Sequence, residues 1–383
     1  MSETRVGLGE VFVQWGRIGC IGLGGPPTHI ALLRQLCVDR REWLDRTTFE
    51  DAVAACNLLP GPASTQLALL CAWHVAGPAG LLVGGTAFIG PGLIVILSLA
   101  AVFLAASPPL WVLGAGAGAG AAVAAVAVHA GLSLAPASWA RARSHRRWLV
   151  FGLAGAVAAA TVGPWLVVVL LACGAAELVF RRLDGREPPA LHAGPVLVLA
   201  AVGAATGGVL ALAWVAFKVG ALSYGGGFVI IPLMQHDAVE HYRWMTDRQF
   251  LDAVALGQVT PGPVVLTVAA VGYAAAGVGG GVLAAAVAFA PSFAFVLVGA
   301  RHFDAVRRSP RARAFLDGAG PAAIGAILGV AVPLALALGQ AWQLAVLGGA
   351  VLCLFALRRS VVTTLLLAAA VGVVAVELGA PLP

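Results

Sequence analysis

The chain has 383 residues, of which 60% are hydrophobic and 10% charged, with a mean hydropathy of +0.95. A soluble domain carries about 25% charged residues, so this composition excludes a soluble enzyme with a large core and requires an integral, polytopic membrane protein. The net charge of +6 does not point to nucleic acid, because most arginines sit in a few connecting loops, where positive charge sets membrane orientation.

A bilayer crossing needs about 18–20 apolar residues. The N-terminus, Met-Ser-Glu-Thr-Arg, lacks the basic-then-apolar pattern of a cleaved signal, so the first apolar run, 11–36, is expected to direct insertion. That run carries Arg17 and is interrupted by Gly24-Gly25-Pro26-Pro27. The second, 49–76, begins near Asp51 and is broken by Pro60-Gly61-Pro62. Runs 79–106 and 110–134 follow. Gly114, Gly116, Gly118 and Gly120 in the latter superficially look like a dinucleotide loop, but no strand precedes them, and small residues at this density let membrane helices pack closely. Residues 148–161 and 164–180 are either two short helices or one tilted one. Run 195–213 is followed by 214–236, with Lys218 and Gly225-Gly226-Gly227, and by 250–276, with Asp252 and Pro261-Gly262-Pro263. Runs 280–300, 317–338, 342–357 and 361–379 bring the total to about thirteen.

The interruptions are duplicated. Adding 201 to Gly24-Gly25, Trp43, Phe49, Asp51 and Pro60-Gly61-Pro62 gives Gly225-Gly226, Trp244, Phe250, Asp252 and Pro261-Gly262-Pro263, and Arg17 maps onto Lys218 by the same shift. Loop charge then sets the relative orientation of the halves. Uncharged Ser107-Pro108-Pro109 corresponds to the loop with Arg301, Arg307, Arg308, Arg311 and Arg313. One loop on, Arg141, Arg143, Arg146 and Arg147 correspond to uncharged Gly339-Gln340-Ala341. Gly163 against Arg358-Arg359, and Arg181, Arg182 and Arg186 against the uncharged C-terminus, continue the exchange. Basic loops stay cytoplasmic, so the expected fold is an all-α membrane protein of two inverted-topology repeats with Gly/Pro-broken helices near the midplane. Residues 1–187 form the first repeat, 188–213 a connecting transmembrane helix, and 214–383 the second. The N-terminus is then cytoplasmic and the C-terminus external. The 37–48 loop fits less well, being external yet carrying Arg40, Arg41 and Arg46. Either Asp39, Glu42 and Asp45 pair with these, or the segment folds back into the membrane.

Proline removes a donor and clashes with the preceding turn, and the residue before it avoids helical geometry. Each Pro-Gly-Pro is therefore expected to end one half-helix and start another, at Ser64-Thr65-Gln66 and at Val264–Thr267. A helix N-terminus presents free N–H groups and about half a positive charge, which suits an anion. The hydroxyls of Ser64, Thr65, Ser223, Thr260 and Thr267 and the amides of Asn57, Gln66 and Gln258 add neutral donors. A single Pro-Gly-Pro is more often a mere kink; duplication at matched offsets favours a transporter's binding site.

Intramembrane cations default to functional readings, so Arg17 and Lys218 are expected to balance an anion's charge, with snorkelling as the bland alternative. Asp51 and Asp252 cap a helix, pair with these cations or carry a coupled proton, the first two being favoured. His29 and His74 read as packed histidines before proton relays. Trp15, Trp43, Trp111, Trp148, Trp165, Trp244 and Trp342 read mostly as interfacial anchors. The six cysteines form no Cys-x-x-Cys, so neither a metal nor a redox motif is expected, and no cofactor is implied. No Walker loop is present, so direct ATP hydrolysis is not expected.

Gly16-Arg-Ile-Gly19 with Leu23-Gly-Gly-Pro-Pro-Thr-His-Ile30, Asn57-Leu-Leu-Pro-Gly-Pro-Ala-Ser-Thr-Gln66, Ser223-Tyr-Gly-Gly-Gly-Phe228 and Gln258-Val-Thr-Pro-Gly-Pro263 together resemble the chromate ion transporter family in its long, two-domain form. The resemblance covers nearly the whole chain. It implies a non-enzymatic inner-membrane protein that exports chromate and confers chromate resistance, with sulfate as the chemically close competitor. By motif position it implicates Arg17, Gly24, Gly25, Pro26, His29, Pro60, Gly61, Pro62, Ser64, Thr65 and Gln66. From the second half it implicates Lys218, Gly225, Gly226, Gln258, Pro261, Gly262 and Pro263. Leu23 departs from the family's usual Phe, whereas Tyr224 keeps an aromatic in the second half. Alternating access is the expected mechanism, in a lipid bilayer, with a homodimer as one compatible assembly. Other readings are a sulfate carrier, an anion channel and an enzyme acting on lipid phosphates; no acid/base or nucleophile set outside the repeat motifs favours the last.

Overall fold

The computed structural model describes residues 6–56, 61–105, 107–161, 166–183, 208–223, 230–299 and 309–382. Among these the chain is helical, without strands. The first half contains α1 (Leu8–Ile21), α2 (Pro26–Arg34, continued by a π turn, Gln35–Arg40), α3 (Arg46–Cys56), α4 (Ala63–Phe103), α5 (Leu110–Arg141), α6 (His145–Thr161) and α7 (Leu166–Leu183). The second contains α8 (Gly208–Leu222), α9 (Ile231–Gln235, continued by a π turn, His236–His241), α10 (Asp247–Val259) and α11 (Thr267–Gly299). It ends with α12 (Pro310–Gly329), α13 (Ala331–Leu336), α14 (Ala341–Val351) and α15 (Val361–Glu377).

Among the described residues, four helical stretches suffice by length and composition to cross a membrane: Ala63–Phe103, Leu110–Arg141, Val264–Gly299 and Arg313–Leu336. Large apolar side chains such as Ile94, Leu153, Val298 and Leu367 are exposed, as lipid-facing positions require. The 148–180 run is two helices, α6 and α7, with 162–165 outside the described residues. So is most of the 188–213 connector, of which the start of α8 is described.

Neither α4 nor α11 is a straight rod. Ala76 (φ −139°) and Gly77 (φ 68°) leave helical geometry, as do Ala276 (φ −155°) and Gly277 (φ 63°). Beyond the first break the chain returns along itself. A Cβ on Gly84 would stand 2.7 Å from Cβ of Ala72, whereas in a straight helix twelve residues span about 18 Å. Gly272 and Gly280 meet backbone to backbone in the second hairpin. The first arm, Ala63–Val75, is about 20 Å long at 1.5 Å per residue, short of the ~30 Å hydrocarbon core.

Helices close on each other through small residues. A Cβ on Gly19 would meet the Phe88 carbonyl oxygen at 2.5 Å, and one on Gly220 would overlap the Ala288 carbonyl, so α1 lies against the long arm of α4 as α8 lies against that of α11. On α5, Gly114 and Gly118 face α15 while Gly116 and Gly120 face α10. A buried ion network joins α6, α7 and α12: Arg181 pairs with Glu177 (3.1 Å) and Asp317 (2.5 Å), and Arg147 with Glu177 (3.6 Å).

Two expectations about side chains need correction. Trp15 is no interfacial anchor: it is fully buried, stacks on Trp43 at 6.2 Å and donates Nε1–H to the Ala68 carbonyl at 2.8 Å. In the 37–48 segment, Arg41 pairs with Glu10 and Arg46 with Glu50, each at 2.8 Å. Asp45 instead caps α3, accepting from the Thr48 amide (2.9 Å) and hydroxyl (2.6 Å). These bonds, the hydroxyl's foremost, hold its carboxyl below the usual range.

Candidate functional site

Helix α1 stops at Ile21 because the next residues are Gly22, Leu23, Gly24 (φ 103°) and Gly25 (φ 76°). A φ in this range is natural for glycine alone. Pro26 and Pro27 then restart the helix at positions where no amide is missed. His29, one turn into α2, is buried and folds back over this corner: Nε2 donates to the Gly22 carbonyl at 2.9 Å. Nδ1 of the neutral ring therefore accepts from the Ser64 hydroxyl at 3.3 Å. Phe88 supports the ring edge-on, 5.0 Å between centroids.

Both Pro-Gly-Pro elements interrupt helices. Helix α3 ends at Cys56 and α4 begins after Pro62; α10 ends at Val259, and a 3-10 turn over Val264–Leu266 precedes α11. Neither Pro62 nor Pro263 offers a side-chain cap, so the amides at the start of both following segments lack capping partners from those positions. Gly61 (φ 117°) and Gly262 (φ 97°) make the corners.

The corners dock reciprocally. Where Gly61 would carry a Cβ, Ser292 Oγ of α11 stands 3.2 Å away and Gln66 Nε2 stands 2.5 Å away. In the other half the Pro261 carbonyl presses on Gly92 of α4, and the Gly262 amide donates to the Gly22 carbonyl at 3.1 Å. The Gly22 oxygen thus accepts both from His29 and from the second half. Val264 also faces Gly25 across this junction, 3.8 Å from where a Cβ would be.

Of the residues singled out by sequence, the structure brings together Gly24, Gly25, Pro26, His29, Gly61, Pro62, Ser64, Gln66, Pro261, Gly262 and Pro263 as parts of these corners or their immediate partners. Thr260 and Thr267 are buried with hydroxyls bonded within their own segments, to Leu256 O (2.9 Å) and Val264 O (2.8 Å). Thr65, at the start of α4, Ser223, after α8, and Gln258, near the end of α10, are buried, and Thr65 Oγ1, Ser223 Oγ and Gln258 Nε2 have no hydrogen-bond partner among the described residues. Asn57, Pro60, Gly225 and Gly226 lie outside the described residues.

The two cations lie apart from these corners. Arg17 is exposed on α1. Lys218 pairs with the buried Asp237 at 2.5 Å, Nζ lying 5.9 Å from the centre of the Trp214 ring. Asp237 corresponds under the 201 shift to Leu36, so Arg17 meets no equivalent carboxylate there. Asp51 is half-buried, whereas Asp252 is buried in mid-α10. Capping does not describe Asp252: Thr246 holds that position, in a capping box with Gln249.

Ser292 escaped the sequence reading. It is fully buried, with no hydrogen-bond partner for its hydroxyl among the described residues. Beyond the helix breaks the repeat offset is 200, as Gly77 and Gly277 and Pro91 and Pro291 show, so its counterpart is Gly92 and the duplication gave no signal for it. Buried polar atoms are nearly always hydrogen-bonded. Among the described residues, Thr65 Oγ1, Ser223 Oγ, Gln258 Nε2 and Ser292 Oγ are the buried donors without a partner that stand on or next to the broken segments.

The family model described as "Chromate transporter" matches residues 9–178 and 210–373. The chain belongs to the chromate transporter family. The two matched segments begin 201 residues apart (210 − 9). A chromate transport protein of Cupriavidus metallidurans is 30% identical over 340 residues, covering 86% of this chain and 82% of the relative. One of Pseudomonas aeruginosa is 30% identical over 344 residues, covering 85% and 80%. A probable chromate transport protein of Synechococcus elongatus is 28% identical over 330 residues, covering 83% and 82%. No solved structure matches. Family membership and the apolar helices together make this a multi-pass membrane protein.

Proposed function

We propose that the protein is a secondary transporter that carries chromate out of the cytoplasm across the inner membrane, conferring chromate resistance. The relatives are named for chromate transport, which fits a non-enzymatic role. The observation that carries the reading is the reciprocal docking of the two Pro-Gly-Pro corners, Gly61 on Ser292 and Pro261 on Gly92. Broken helices meeting between two halves are how transporters present helix ends and unpaired backbone to a solute.

Two inverted repeats that rock about this junction would give alternating access. The recurrence of backbone form supports such repeats: Gly61 and Gly262, Gly77 and Gly277, and even Glu42 (φ 51°) and Arg243 (φ 53°) share left-handed geometry. The exchange of basic loops supports their inversion. The uncapped starts of α4 and of the 264–266 turn, with the hydroxyls of Thr65, Ser223 and Ser292 and the amide of Gln258, form a donor set suited to a tetrahedral oxyanion. In this conformation Lys218 is already neutralised by Asp237, so recognition rests on neutral donors. Moving one charge through 100 mV is worth about 2.3 kcal/mol. A dianion therefore gains roughly twice that in leaving a negative-inside cell.

Purified protein in liposomes, loaded with radiolabelled chromate, tests this directly. We expect protein-dependent chromate flux, saturable and competed by sulfate. Sulfate flux with no chromate flux would transfer the assignment to a sulfate carrier. Conductance far above carrier rates in a planar bilayer would replace alternating access by a channel.

A further inference from the structure

Asp252 is a carboxyl group that the oxyanion junction does not use. It lies in the middle of α10, is only 4% exposed, and its Oδ1 has no hydrogen-bond partner among the described residues. That oxygen points at the glycine face of α5: a Cβ added to Gly116 would stand 2.5 Å from it. The adjoining cavity, about 10 Å³, is lined by Gly116, Ala117, Gly120, Arg248, Asp252 and Gln343. A single water needs about 10–15 Å³, so there is no room for a hydrated ion or a small anion. Gln343 is already committed, donating to the Ala117 carbonyl (3.1 Å) and accepting from the Gly339 and Gln340 amides (3.1 and 3.2 Å). Asp252 Oδ1 keeps an open valence beside this space among the described residues.

One cation stands close: Arg248, one turn earlier on the same helix, lines the cavity and its charge acts on Asp252, with no ion pair between the two among the described residues. Helix α5 contributes only glycine and alanine there, and α14 contributes neutral Gln343. On the other elements packed on α10, Glu377 of α15 and His74 of α4 are exposed, Tyr273 of α11 is half-buried, and Asp237 beyond α9 is bound to Lys218. None lines the cavity. An isolated ionised carboxylate is far costlier to bury than the neutral acid, so this surrounding accepts the protonated form. Ionisation is therefore favoured when α10 or α5 moves so that water or the Arg248 guanidinium reaches the carboxylate. Helix α10 runs directly into Thr260–Pro263, whose Gly262 amide holds Gly22 of the other half. A movement that exposes Asp252 is thus a movement of one wall of the junction.

We infer that Asp252 is a proton-binding site, loaded in the conformation seen and emptied when α10 separates from α5, so that proton uptake from outside is exchanged for oxyanion export. Bonds balance simply: one O–H forms at the Asp252 carboxylate on the outer side, and the same O–H is broken toward cytoplasmic water. The inference rests on the transport reading above.

The test uses full-length protein in liposomes with the membrane potential clamped to zero. With the unchanged protein, one pH unit across the membrane should shift the chromate distribution about tenfold for one proton per chromate. Asp252→Asn, an isostere of the protonated acid, should retain chromate–chromate exchange within about twofold and lose this response. A response in Asp252→Asn equal to that of the unchanged protein overturns the inference, as does chromate exchange in the unchanged protein that ignores the pH gradient. Absence of all chromate movement defeats the transport reading instead. Infrared difference spectroscopy then still decides the proton site: a protonated-carboxyl band at neutral pH that disappears in Asp252→Asn supports it, and an identical band in both proteins overturns it.

Discussion

Ser292 and Lys218 show how far side-chain chemistry can be read from order along the chain. Ser292 Oγ is buried beside Gly61 with no hydrogen-bond partner among the described residues. An ordinary hydrogen bond contributes about 1 kcal/mol, so Ser292→Ala should weaken half-saturation by chromate roughly fivefold in flux measurements. Because it deletes an unsatisfied buried hydroxyl, the same change should leave thermal stability in detergent equal or higher. Unchanged affinity would remove Ser292 from the donor set. Gly24, Gly25, Gly61, Gly262, the prolines and His29 of the junction were legible, since each occupies a recognisable motif, whereas Gly22 and Gly92, which act through tertiary contact, were not. Partners were not legible: Lys218 is matched by Asp237, nineteen residues on, and Trp15 by Ala68, fifty-three residues on. Neither pairing leaves a periodicity or a spacing to read.

At the level of helices, interruptions were visible because proline and glycine disrupt the hydrogen-bond ladder wherever they stand. Hence the ends of α3 and α10 and the starts of α4 and α11 fall close to where Pro-Gly-Pro places them. Apolar runs separated at 76 and 79 also mark the corner at Ala76–Gly77. What hydropathy alone does not reveal is that the two arms lie side by side, a matter of tertiary contact. Those contacts are tight. At Gly220 any side chain would overlap the Ala288 carbonyl, and overpacking costs about 1–3 kcal/mol. Gly220→Val should therefore lower the unfolding midpoint in detergent and reduce membrane accumulation. Gly9→Ala in α1, where a Cβ meets nothing within 4 Å, should do neither. Equal behaviour of the two variants would show that the α8–α11 seam is not set by this contact.

Across the whole molecule, the halves share backbone details yet differ in side-chain chemistry: Asp237 against Leu36, Ser292 against Gly92, and Asp252 buried where Asp51 is half-buried. The proposed inversion of the halves rests on loop charge, although Arg147 and Arg181 also serve the ion network with Glu177 and Asp317. A reporter active only outside the cytoplasm should be silent when fused to the N-terminus and active at the C-terminus. Activity at both ends, or at neither, would refute an odd number of crossings and with it the inversion. The halves are joined at the corners partly by the Gly262 amide and the Gly22 carbonyl, and this bond has no side chain at either end. Replacement scanning cannot delete it cleanly: only Gly262→Pro removes the N–H, and proline cannot adopt the φ of 97° found there. Substitution at Gly22 drives a new atom to within 2.6 Å of the His29 ring, and at Gly262 it forces a left-handed φ on a bulkier residue. Either change would register as steric damage while the bond itself went unprobed. Only backbone chemistry, such as exchanging that amide for an ester, can measure what this link between the halves contributes.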